Sequence, residues 1–163
     1  MGNTSGVMFD GQHPDLAEFV AKAQAQCDRA FPGVFTVEHQ HEGDTTEPAV
    51  IFHVGKEVFM VWFVGWHNEG LVGGNSPRIG DFGYWVADVL MKRIAEATGG
   101  QAFCDAIGPL TQPICQTYYK ALDRTPSGAV KWLARFMRDS SYRDWIPGPL
   151  RPWFDDPKKE IGA

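Results

Sequence analysis

The sequence predicts an α+β fold: a short antiparallel sheet, built as a meander over about residues 34–66 with an additional strand over about 101–107, and helices packed mainly on one of its faces. Three observations carry this expectation. Residues 35–42 alternate, with Phe35, Val37, His39 and His41 against Thr36, Glu38, Gln40 and Glu42, which is the period-two pattern of a half-covered strand. Two apolar runs follow, Ala49 to Val54 and Glu57 to Trp66, parted only by Gly55-Lys56, a composition suited to a two-residue hairpin. Elsewhere the apolar residues recur every three or four positions, the spacing of helices that cover a sheet.

In chain order, residues 1–13 read as a loose arm in which Val7, Met8 and Phe9 join a sheet edge. A helix starts near His13-Pro14-Asp15, with Pro14 suited to its first turn and Leu16, Phe19, Val20, Ala23 and Cys27 on its inner stripe; Pro32-Gly33 stops it. The three strands come next. Val58 to Val64 is apolar at every position, so the third strand is expected in the middle of the sheet and covered on both faces. From His67 to Gly80 the glycines read as loop. A long helix follows, with Asp81 as N-cap, Gly99 just past its end, Phe82, Trp85, Val86, Val89, Leu90 and Ile94 inward, and Asp88, Lys92 and Glu96 outward. Further helices are expected near Pro113 to Leu122 and Ser127 to Arg138. The tail from Tyr142 is rich in proline and aromatics, so it is expected to run extended, staple itself across the domain through Trp145, Trp153 and Phe154, and fray from Lys158 onward.

A chain of 163 residues fits one domain, large enough to bury a core without disulfides or metal. The formal net charge of -5 argues against nucleic acid as the main partner. The charge is uneven: residues 1–80 hold ten acidic and four basic residues, residues 81–163 ten and eleven. Three cysteines, Cys27, Cys104 and Cys115, without CxxC spacing suit reduced thiols in the cytoplasm. No apolar run approaches the length of a membrane span, the N-terminal residues lack a basic and an apolar region of secretory type, and Gly6 stands where a myristoylation motif wants Ser or Thr.

Four of the five histidines fall between Val34 and Gly70. His39 and His41 share one strand face, and His53 or His67 could complete a ligand set for zinc or another transition metal. Convergence depends on hairpin register. One loop register sets His39 against His53; the neighbouring one sets it against Phe52 and turns His53 to the opposite face. The tight Gly55-Lys56 turn pairs His53 with Val58 and places it on the face of Ile51, Met60 and Trp62. A hydrogen bond from histidine to Glu38 or Glu42 is the simpler use of these residues. The stretch LVGGNSPRIGDFG matches no phosphate-binding motif, and Asp81 would repel an anion, so it reads as a connection.

The strongest functional signal is charge. Glu38, Glu42, Asp44 and Glu47 lie within ten residues that hold no Lys or Arg, a composition that would attract a basic surface. The leading expectation is therefore a non-enzymatic cytoplasmic protein-binding module without a cofactor, of inhibitor or immunity type, that masks a basic protein partner such as a toxin. The first alternative is an enzyme or ligand-binding protein with a metal or small-molecule site at His39, His41 and His53. The second is an assembly subunit with Trp145 and Trp153 buried between chains.

Overall fold

The computed structural model describes residues 4–40, 48–65, 70–75, 77, 80–104, 108–109, 140–156 and 159–163. The strands are β1 (Thr4–Met8), β2 (Phe35–Gln40), β3 (Ala49–Val54), β4 (Glu57–Val64), β5 (Leu71–Asn75), β6 (Gln101–Cys104) and the two-residue β7 (Gly108–Pro109). All pair antiparallel, in the order β2-β3-β4-β5-β1-β6-β7. Helices α1 (Leu16–Ala30) and α2 (Gly80–Thr98) pack together on one face of this sheet, as the α+β expectation requires. The helices expected within 113–138 lie outside the described residues.

Two segments read as irregular are strands. β1 is no arm at an edge: it pairs with β5 on one side and β6 on the other. β5 occupies the glycine-rich stretch read as loop, and its glycines are what allow it there. Gly6 opposes Gly73; a Cβ on Gly6 would run into the Val72 carbonyl oxygen, and one on Gly73 would stand 2.6 Å from the Ser5 carbonyl oxygen. Glycine here marks close backbone approach inside a sheet.

Helix α1 begins at Leu16, two residues after Pro14, because Asp15 is its N-cap and accepts the Glu18 N–H at 3.2 Å. Phe19, Ala23, Cys27 and Ala30 form its buried stripe. Burial drives the Cys27 thiol far above its ordinary pKa, and the neighbouring Asp28 adds to the rise. Helix α2 already includes Gly80 and Asp81, so Asp81 lies in the first turn and is not the N-cap. Its inner stripe is buried as expected, and Asp88, expected outside, is buried too and takes part in polar interactions there. The helix closes on Gly99 (φ 77°), where the Gly100 N–H returns to the Ala95 carbonyl at 3.0 Å.

The tail is coiled, not extended. Ser140–Trp145 and Gly148–Leu150 are 3-10 turns, and α3 (Arg151–Asp155) follows with Pro152 in its first turn. It does staple the molecule. Phe31 meets Phe35 of β2, Trp85 of α2 and Trp153 of the tail edge-on at centroid distances of 5.9, 5.9 and 5.1 Å, and Phe154 meets Phe82 at 5.4 Å. The stretch expected to fray is anchored at Ile161, which is buried, and at Gly162, whose N–H donates to the Ala30 carbonyl at 3.0 Å.

Candidate functional site

Of the residues singled out above, the β2–β3 ladder carries Glu38, His39 and His53. It pairs Phe35 with Val54, Thr36 with His53, Val37 with Phe52, Glu38 with Ile51 and His39 with Val50. Opposed residues of an antiparallel pair point to the same face. His39 thus shares the helix-covered face with Phe35, Val37, Val50 and Phe52, whereas Glu38 and His53 stand on the other. The ladder has the parity of the register that separates the two histidines, displaced by two residues. The sheet therefore does not bring His39 and His53 together. His41, Glu42, Asp44, Glu47 and His67 lie outside the described residues, and among the described ones no group of three or more His, Cys, Asp and Glu side chains is placed to hold a metal ion.

His53 instead meets Glu38. Its Nε2 lies 2.6 Å from the Glu38 Oε1, so the imidazole donates to the carboxylate whenever Nε2 carries a proton. The Glu38 side chain is 57% exposed and that of His53 21%. The expected pairing of His53 with Val58 is present, but its face is not that of Met60 and Trp62. Between Phe52 and His53 the register slips, because β4 carries an extra residue at Phe59. The bulge sends both Phe59 and Met60 inward, Phe59 against Phe35 at 5.2 Å. It leaves Val58 outside, 58% exposed, so β4 is central but not covered on both faces along its length.

β2 is an edge strand, and a side chain of α1 occupies part of that edge. The Gln24 Oε1 accepts the Val37 N–H at 2.8 Å, and its Nε2 donates to the Phe35 carbonyl at 2.9 Å and to Asp28 Oδ1 at 3.0 Å. The amide thus substitutes for the peptide group of a neighbouring strand.

At the other end of the ladder from residues 41–47 is an open cleft of about 550 Å³. One wall is the β3–β4 turn, Val54 to Glu57; the other is the tail from Asp144 to Pro149, with Arg151. The tail wall is built rigidly. Ile146 and Leu150 are buried anchors, and the Arg151 Nε donates to the Ile146 carbonyl at 3.0 Å. A bidentate pair, Arg143 Nε to Asp155 Oδ1 at 2.7 Å and Nη2 to Oδ2 at 2.9 Å, closes the segment. These hydrogen bonds hold the Asp155 carboxyl below its ordinary pKa, with the positive charge of Arg143 adding to them, and raise Arg143 in turn. Trp145 stands on this wall 65% exposed; with Val58 it is one of two strongly exposed large apolar residues among those described. Sequence reasoning took Trp145 and Trp153 together as staples. Only Trp153 is buried in the core. Their difference follows from the 3-10 turn that ends at Trp145, which apolar content alone does not reveal.

No family model, no curated protein and no solved structure matches this chain.

Proposed function

We propose that this protein is a non-enzymatic protein-binding module of inhibitor or immunity type, working in the cytoplasm and masking a basic protein partner such as a toxin. The observation that carries the reading is the exposed Glu38 carboxylate on edge strand β2, just before the segment that supplies Glu42, Asp44 and Glu47 without a single Lys or Arg. Clustered acidic charge of this kind steers a basic surface into contact and speeds association more than it deepens affinity.

The test is affinity capture from native lysate at low and high salt, comparing the natural protein with the double variant Glu42→Lys, Asp44→Lys. A basic protein retained by the former, weakened by salt and lost with the variant, is the expected result. Equal retention by both forms would rule out the acidic hairpin as the capturing surface.

A further inference from the structure

We propose that His53 makes the capture of a basic partner depend on pH, by cancelling the charge of Glu38 when its imidazole takes up a second proton. This regulation rests on the acidic surface proposed above. It uses two side chains whose places on the sheet are described, one on β2 and one on β3.

The His53 Nε2 lies 2.6 Å from the Glu38 Oε1 across the β2–β3 ladder, and among the described residues no other side chain meets this carboxylate. A neutral imidazole with its proton on Nε2 donates one hydrogen bond and leaves the negative charge of the carboxylate in place. Imidazolium keeps that hydrogen bond and brings a positive charge with it, so the pair becomes neutral. The ring already stands where the new charge has to be, and no rearrangement of the strands is needed.

The pair is also placed where a partner feels the change. The Glu38 side chain is more than half exposed and that of His53 mostly enclosed, so an incoming cation meets the carboxylate with the ring beside it. Their separation is far below the screening length at ordinary salt, about 8–10 Å, and a partner responds to the sum of the two charges.

The surrounding charges leave the response to His53. On β2 the other histidine, His39, is turned to the helix-covered face, and Thr36, which opposes His53, is uncharged. β4 contributes Glu57, opposite Val54, and the turn between β3 and β4 contributes Lys56. Helices α1 and α2 pack on the opposite face with their charged residues. Ordinary carboxylates and ammonium groups hold their charge between about pH 5 and 8, the range in which imidazole changes its own. Attraction of a basic surface is therefore stronger at the upper end of that range and fades toward the lower end.

The experiment is a titration of the full chain with rhodamine-labelled decalysine, followed by fluorescence anisotropy at low salt, at about pH 8 and about pH 5.5. The ammonium groups of the peptide keep their charge at both. The natural protein is expected to bind it roughly two- to five-fold more weakly at the lower pH. His53→Gln, whose amide can donate to Glu38 but gains no proton, is expected to lose most of that difference. His13→Gln, ahead of α1, is expected to keep it. In the free natural protein the Glu38 carboxyl carbon, read by NMR, is expected to move together with the His53 ring over the same range. Equal binding at the two pH values, a difference that survives in His53→Gln, or a Glu38 carbon indifferent to the ring would overturn the proposal and leave the acidic surface standing. Absence of binding at either pH would instead remove the acidic surface, and this regulation with it.

Discussion

Asp155 shows how one residue's surroundings set a measurable pH response. Its carboxyl is held low mainly by the hydrogen bonds from Arg143, so its ionised form is favoured in the folded chain over the unfolded one. A lowered folded-state pKa contributes stability above the ordinary carboxylate range, and that contribution disappears as pH falls through the lowered value. Asp155→Asn is therefore expected to be less stable than the natural protein at pH 7, with the gap narrowing as pH falls below the ordinary carboxylate range, read as denaturant midpoints across that range. Because the pair is exposed, the gap at neutral pH will be small. The pairing itself was not legible in the sequence, since nothing local tells Arg143 to reach twelve residues ahead. The histidines make the same point. Alternation set His39 on the face of Phe35 and Val37, but what His39 and His53 meet depended on a hairpin loop whose length leaves the register free.

Elements were legible where periodicity was strong and unreadable where glycine interrupted it. Helices α1 and α2 and strands β2, β3 and β4 follow directly from their apolar spacing. Strand β5 does not, because Gly73 and Gly74 look like loop until the backbone of β1 is seen pressed against Gly73 and that of β4 against Gly74. Phe59 is a subtler case: an unbroken apolar run hides a bulge, since inward and outward positions are filled alike. The edge of β2 yields a prediction at this scale. Removing the Gln24 amide leaves the Val37 N–H and Phe35 carbonyl without their intramolecular partners. Gln24→Ala should cost about 1–2 kcal/mol of stability, seen in chemical denaturation, and should promote concentration-dependent self-association through the freed edge, seen by light scattering. A variant as stable and as monodisperse as the parent would show that the amide does not guard the strand.

For the molecule as a whole, the sequence supplied the class of architecture and not its wiring. Sheet order is a long-range property, and nothing between residues 4 and 8 announces that both partners lie beyond residue 70. The tail's role was visible in its aromatics, but Phe31 as the meeting point of α1, β2, α2 and the tail was not. A core joined through such a hub should open cooperatively. Cys27 sits fully buried within it, its thiol kept protonated by burial. Iodoacetamide should therefore leave Cys27 unmodified in the native protein, and the labelling rate, followed by peptide mass spectrometry, should rise in step with global unfolding. Rapid labelling under native conditions would mean that α1 detaches on its own.

The central placement of β1 also has a consequence for biosynthesis. This segment is translated before both of its neighbours, which end at residues 75 and 104. At ribosomal rates the nascent chain must grow for about 5–20 s before the second of them exists. During that interval water hydrates the backbone groups of Thr4–Met8 and Val7 stays uncovered, so the middle of this sheet can close only after its outer parts have been made.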